Sequence, residues 1–103
     1  MKLKHYPVEK LKTEILAIMG RRLDLKKYRV FFFGSRVEKK SNDRSDIDVG
    51  IEGPEAVPPE AWQAIQEEIE KLPTLYKIEI VDFKNTAGIF REVALRHIEL
   101  LNP

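Results

Sequence analysis

The sequence contains no cysteine, and this absence removes several classes of protein from consideration. Without cysteine the chain can hold neither a disulfide framework nor a catalytic thiol. No apolar run reaches the roughly 18 residues that a membrane-spanning helix requires, and the segment from Met1 to Pro7 lacks the apolar core of a signal peptide. The P-loop pattern, the His-Glu-x-x-His zinc pattern and the aromatic signature of an RNA-binding sheet are also missing. We therefore expect a soluble, cytoplasmic protein.

The length and composition predict one domain. A chain of 103 residues, 43% of them hydrophobic, is long enough for one compact core and too short for two. A domain of this size buries roughly two thirds of its extended surface, so its core needs no metal or disulfide for stability. We expect residues 1–103 to form a single domain.

The net charge of +1 conceals an uneven distribution of charge. Residues 1–45 carry 13 Lys or Arg against 5 Asp or Glu, a net of about +8, whereas residues 46–103 carry 5 against 12, about −7. This asymmetry fits a basic face for nucleotide phosphates or nucleic acid beside an acidic region for cations. It fits charged helix surfaces in solvent equally well.

The spacing of apolar residues predicts an alternation of helices and strands. Helices are predicted at residues 8–25, 60–72 and 88–101, strands at 28–33, 46–51 and 76–83, and a short helix or loop at 35–45. This order predicts an α+β fold with two layers, in which helices pack on one face of a small three-stranded mixed sheet. The other face would stay partly open, and a functional site could form there.

Two short motifs around the predicted second strand suggest phosphoryl chemistry. Asp46 and Asp48 lie two residues apart, so their carboxylates point to the same side of a strand, roughly 7 Å apart along the chain. Such carboxylates, with water and substrate phosphates, are the ligands of Mg²⁺. Gly34 and Ser35 follow a buried strand at a turn whose free N–H groups favour an anion. Each motif alone is more often a turn or a pair of solvated acids, but the two together are rare.

A third carboxylate is expected on the third predicted strand, where Glu79 and Asp82 are the candidates. Ile78 and Ile80 share a face with Asp82, whereas Glu79 lies on the opposite face. If the isoleucines pack on the helices, Glu79 faces the same way as Asp46 and Asp48. We predict Glu79 and keep Asp82 as the alternative.

The segment Gly34-Ser35-Arg36-Val37, followed by Ser45-Asp46-Ile47-Asp48-Val49, resembles the minimal nucleotidyltransferases of the DNA polymerase β superfamily. Their signature is Gly-Ser, ten residues and Asp-x-Asp, and the length and element order of this chain also fit. The resemblance implies a polymerase β-like fold with Asp46, Asp48 and Glu79 as catalytic, metal-binding residues. It also implies that Gly34 and Ser35 bind phosphate, and we predict Arg36 and Ser45 as further nucleotide-binding residues.

Two features depart from the family pattern. Glu38, Lys39 and Lys40 stand where the family usually has a small or Gly-containing segment with a second Arg, and the third acid is Glu79 where Asp is common.

Arg36 is the best cationic candidate for the triphosphate, and Lys39, Lys40 and Arg44 are weaker ones because a solvated loop explains them as well.

The resemblance implies a Mg²⁺-dependent enzyme that transfers a nucleoside monophosphate, AMP from ATP, to an acceptor hydroxyl. It further implies a small helical partner of the HEPN type, a toxin that the nucleotidyltransferase would counter by modifying a tyrosine. One alternative is an interaction protein that keeps the fold and neutralises its partner by binding alone. A nucleic-acid-binding domain is a third interpretation, and it rests only on the basic first half.

Overall fold

A computed structural model describes residues 1–38, 45–86 and 88–102 of the chain. The helices are α1 (Val8–Gly20), α2 (Pro59–Glu70) and α3 (Gly88–Ala94), and the strands are β1 (Arg29–Phe33), β2 (Ile47–Glu52), β3 (Ile78–Asp82) and β4 (Glu99–Leu100). A 3-10 turn at Phe83–Asn85 follows β3. Within the described ranges, none of the helices has the length and apolar character needed to cross a bilayer.

The strands form a mixed sheet in the order β3-β2-β1-β4. β1 pairs antiparallel with both β2 and β4, and β2 pairs parallel with β3. The predicted α+β architecture is confirmed, but the described sheet has four strands where the sequence predicted three.

The additional strand lies in a segment predicted as helix. The helix expected at residues 88–101 ends at Ala94, and the chain then returns to the edge of β1. Beyond β4, the backbone N–H of Leu101 donates to the carbonyl of Val30 at 2.8 Å, and the side-chain oxygen of Asn102 accepts from the Val30 N–H at 2.8 Å. A strand of two residues is too short to show an alternating pattern, whereas Leu95 and Ile98 pack inward and mimic helical spacing.

The main core lies between one face of the sheet and helices α1 and α2. Alternate residues of β2 supply this face, as the sequence predicts, and so does every second residue of β1. The fully buried members of this core are Leu11, Ile15, Met19, Val30, Phe32, Ile47, Val49, Ile51 and Ile65.

The opposite face of the sheet carries a smaller aromatic cluster. Phe31, Phe33 and Phe83 pack there, with the Phe83 ring 5.1 Å from each of the other two ring centroids, and Ala94 of α3 packs against them. Because α3 covers part of this face, the three helices do not all lie on one side as expected. At the end of this face nearest Gly34, Asp48 is half-buried and Glu79 is exposed.

Candidate active site

The strand register brings the predicted acidic residues to one end of the sheet. Asp48 pairs with Phe33 of β1 on one side and with Glu79 of β3 on the other. Paired residues of neighbouring strands share a face, so Asp48 and Glu79 both lie on the face opposite α1 and α2. Asp46 precedes β2 by one residue and is half-buried. The placement of Glu79 agrees with the alternation in its strand.

Gly34 forms a turn that contacts the Asp48 carboxylate. Its φ is +82°, a left-handed conformation that L side chains rarely adopt. A Cβ at Gly34 would stand 2.3 Å from the Oδ2 atom of Asp48, so glycine is required for this approach. The carbonyl of Gly34 accepts from the N–H groups of Val37 and Glu38, each at 3.1 Å. The predicted phosphate-binding turn and the predicted metal ligand are therefore adjacent.

The carboxylates influence one another electrostatically. Burial raises the pKa of Asp48 above its ordinary value, and the negative charges of Glu79 and Asp46 raise it further. Lys77 partly offsets this concentration of charge, since its Nζ lies 3.2 Å from Oε1 of Glu79. The hydrogen bond to Glu79, with the charges of Glu79 and Asp46, raises the pKa of Lys77.

Lys77 is the site residue that the sequence analysis missed. It stands two positions before Glu79, so the same alternation that selects Glu79 also places Lys77 on that face. The alternation in β3 was therefore sufficient to predict Lys77 as a cation beside the carboxylates.

The donor set fits a divalent cation that arrives with its substrate. Burial and, after it, the negative charges of Glu79 and Asp46 raise the pKa of Asp48, and a bound cation would offset that repulsion. Among residues 1–38, 45–86 and 88–102, no three His, Cys, Asp or Glu side chains are already grouped around one metal position. Mg²⁺ is commonly held by one or two carboxylates together with phosphate oxygens and water. Asp46 and Asp48, with Glu79 beside them, match that arrangement.

Arg36, predicted to contact phosphate, is buried with only 7% of its surface exposed. Its Nε donates to the carbonyl of Ser45 at 2.9 Å, and its guanidinium carbon lies 4.8 Å from the centre of the Tyr76 ring. Ser35, which directly precedes Arg36, and Ser45, which accepts its hydrogen bond, are both half-buried. Lys39, Lys40 and Arg44 lie outside the described residues.

Asp82 has a different environment from Glu79. It pairs with Ile51, on the helix-covered face of the sheet. Its Oδ2 accepts from the N–H of Val57 at 2.8 Å, and its Oδ1 accepts from the N–H of Lys84 at 2.9 Å. These bonds hold the loops around the end of β3, and they direct Asp82 away from Asp48.

Comparison with known proteins agrees with this geometry. The family model for polymerase beta nucleotidyltransferases matches residues 25–102. The chain belongs to the polymerase β nucleotidyltransferase family. The match includes the whole sheet and every predicted site residue, and it begins after α1. As a family, nucleotidyltransferases use a nucleotide substrate with a divalent metal ion.

Relatives and solved structures extend the comparison. The chain is 31% identical over 85 residues to a probable protein adenylyltransferase, MntA, of Haemophilus influenzae, covering 81% of this chain and 75% of the relative. It shares its fold with a toxin–antitoxin crystallised with AMP-PNP, at a TM-score of 0.67 and 18% identity over 87% of this chain and 71% of the other. It also resembles the complex of a tri-AMPylated Shewanella oneidensis HEPN toxin with an MNT antitoxin, at a TM-score of 0.64 and 17% identity over 91% and 71% of the two chains.

Proposed function

We propose that this nucleotidyltransferase transfers AMP from ATP to a hydroxyl group on a HEPN-type partner protein, in a reaction that depends on Mg²⁺. The observation that carries the proposal is the register that sets Asp48 opposite Glu79 while the Gly34 turn contacts Asp48. Acidic ligands and an anion-binding turn stand side by side, which is the requirement for binding a metal–triphosphate.

Each site residue has a role in this reaction. Asp46 and Asp48 would hold the divalent cation, and a cation bound there would supply positive charge to the triphosphate oxygens. The backbone at Gly34 and Ser35, with the Ser35 hydroxyl, binds phosphate oxygens at the turn. The acceptor oxygen forms a bond to the α-phosphorus as the bond to the β-phosphate bridging oxygen breaks. Glu79 accepts the proton that the hydroxyl releases.

The choice of acceptor follows from the relatives. The Haemophilus relative is named as a protein adenylyltransferase, and the Shewanella complex joins an MNT antitoxin to an AMPylated HEPN toxin. Glu79 is exposed at the acidic end of the sheet, so a side chain of another protein can approach it. We assign this chain an antitoxin role of the same kind, acting on a tyrosine of its toxin in the cytoplasm.

The test is label transfer from α-labelled ATP to a purified HEPN-type protein in the presence of Mg²⁺. Wild type and Glu60→Gln, which removes an exposed carboxylate on α2, should label the partner equally. Asp48→Asn should reduce labelling by at least about 100-fold, because a metal ligand is lost.

Two results would contradict the proposal. Absence of label with every acceptor and nucleotide tried would remove the transferase activity. Equal protection of cells by wild type and Asp48→Asn, without label on the partner, would establish the alternative in which the chain acts by binding alone.

A further inference from the structure

Arg36 is a buried cation at the edge of the proposed site. Among the described residues, the buried polar or charged ones are Arg36 and Asn102. Burial of a guanidinium is costly unless its donors and its planar faces find partners. Arg36 uses both, since Nε donates to Ser45 and the plane lies against the Tyr76 ring. A side chain held in this way is suited to fixing the positions of its neighbours.

The partners of Arg36 each lie two residues before a strand of the site, Ser45 before β2 and Tyr76 before β3. Ser45 directly precedes Asp46, and Tyr76 directly precedes Lys77, whose carbonyl accepts from the N–H of Ile47 at 2.9 Å. Arg36 itself lies within the turn that the Gly34 carbonyl closes with the N–H groups of Val37 and Glu38. One side chain thereby links the turn, the start of β2 and the segment leading into β3.

Asp46 is the residue that most needs this support. Pairing of β2 with β1 begins at Asp48, and pairing with β3 begins at Ile47, so Asp46 lies outside both registers. Strand pairing holds the peptide that follows Asp46, through the Ile47 N–H and the Lys77 carbonyl, and the pairings of β2 do not extend to the peptide that precedes it. The hydrogen bond from Arg36 to the preceding carbonyl restrains the chain at that point.

We propose that Arg36 is a positioning residue, which acts through Ser45 and Tyr76 to set Asp46 and Asp48 in the geometry that binds the divalent cation. The inference rests on the proposed function, in which these two aspartates hold the metal. It departs from the role as a phosphate ligand that the sequence analysis predicts.

The two roles predict different behaviour. A phosphate ligand acts through its charge, so Arg36→Lys would retain part of the function and any loss would fall on ATP binding. A positioning role needs the planar guanidinium with Nε aimed at Ser45, which lysine does not supply. It also makes the uncharged ring of Tyr76 as important as the arginine.

The experiment is titration with Mn²⁺ alone, followed by calorimetry or electron paramagnetic resonance, of wild type and variants whose fold is checked by circular dichroism. Arg36→Met, Arg36→Lys and Tyr76→Leu should each weaken Mn²⁺ binding about tenfold, as loss of support behind metal ligands commonly does. Arg36→Met with Tyr76→Leu should cost no more than Arg36→Met alone, because loss of the arginine already removes its contact with the ring. Tyr76→Phe should bind normally, since it keeps the ring.

Arg29→Met is the matched control for loss of a stacked arginine. Its guanidinium carbon lies 5.2 Å from the centre of the Phe31 ring, and its Nε donates to Glu52 at 2.8 Å. These contacts lie at the end of β1 and β2 opposite to Asp48. Mn²⁺ binding by Arg29→Met should stay within about twofold of wild type, because its contacts are remote from the ligands.

The outcomes separate the inference from the function on which it rests. A wild-type chain that binds no Mn²⁺ contradicts the proposed function and the inference together. Normal Mn²⁺ binding by folded Arg36→Lys and Tyr76→Leu contradicts the inference alone, even if Arg36→Met fails to fold. Weaker ATP binding with unchanged Mn²⁺ binding, restored by lysine, would make Arg36 a phosphate ligand and overturn the positioning role.

Discussion

Replacement of Gly34 by alanine tests whether the turn and the Asp48 carboxylate work as one unit. At φ +82° an L residue pays about 1–2 kcal/mol for the left-handed conformation. For a domain of about 100 residues, that range corresponds to a fall in Tm of roughly 4–16 °C. This part of the effect concerns the backbone alone.

The second part of the effect concerns the carboxylate. The new Cβ would stand 2.3 Å from Oδ2 and 3.2 Å from Cγ of Asp48, whereas ordinary contact begins near 3.4 Å. The oxygen must therefore move by about 1 Å, and a displacement of that size in a reacting group costs on the order of 100-fold in rate. We expect Gly34→Ala to lose label transfer by about that factor.

Gly88→Ala is the matched control for the backbone cost. Gly88 has φ +71°, and a Cβ there would meet no atom of the described residues within 4 Å, its chain neighbours and its own helix backbone aside. Thermal unfolding should show similar losses of stability in the two variants, while the label-transfer assay should detect a loss only in Gly34→Ala. Equal transfer activity in the two variants would refute the conclusion that contact between Gly34 and Asp48 shapes the site.

Three further predictions concern the charged groups. Asp48→Asn should abolish transfer yet raise Tm at pH 7 without divalent cations. Because the pKa of Asp48 is raised in the folded protein, the stability that its protonated form contributes is lost as pH rises through that pKa. The increase in Tm from Asp48→Asn should therefore vanish below the ordinary Asp pKa. Glu79→Gln should abolish transfer with little change in Tm. Asp82→Ala should keep transfer but lower the free energy of unfolding, measured with denaturant, by about 1–3 kcal/mol, because two backbone N–H groups lose their acceptor. Transfer that survives Glu79→Gln but is lost in Asp82→Ala would show that the third acid is Asp82. Lys77→Met should strengthen Mn²⁺ binding about two- to fivefold at low salt and little at 1 M salt, because an exposed cation near the acids is removed and such charges are screened; unchanged affinity at low salt would contradict this.

Asn102 illustrates what local patterns do not contain. Its side chain accepts from Val30 and donates to the carbonyls of Leu25 and Tyr28, at 3.1 and 2.9 Å, contacts that join segments more than 70 residues apart. Together with β4, these bonds close the far edge of the sheet. A strand of two residues and one polar side chain are too short to give a periodic pattern. The predicted helix at residues 88–101 therefore ran through β4.

The sequence by itself determined which residues share a face. Alternation in β2 and β3 is a property of the extended backbone, so the sequence was sufficient to predict that Asp48 and Glu79 share a side of the sheet. The Gly-Ser pair likewise predicted a turn after β1, and Gly34 forms that turn beside Asp48. The helices α1 and α2 followed from their spacing in the same way, with ends that differ by a few residues.

The tertiary structure decided how those faces meet. Register set Asp48 against Glu79, α3 covered part of the face expected to be open, and Arg36 was buried against Ser45 and Tyr76. Each of these outcomes depends on contacts between segments distant in the chain, where packing and desolvation select the arrangement. A charged side chain in a sequence is a candidate for contact with solvent or ligand, and only the folded structure shows that Arg36 is buried between other parts of the chain.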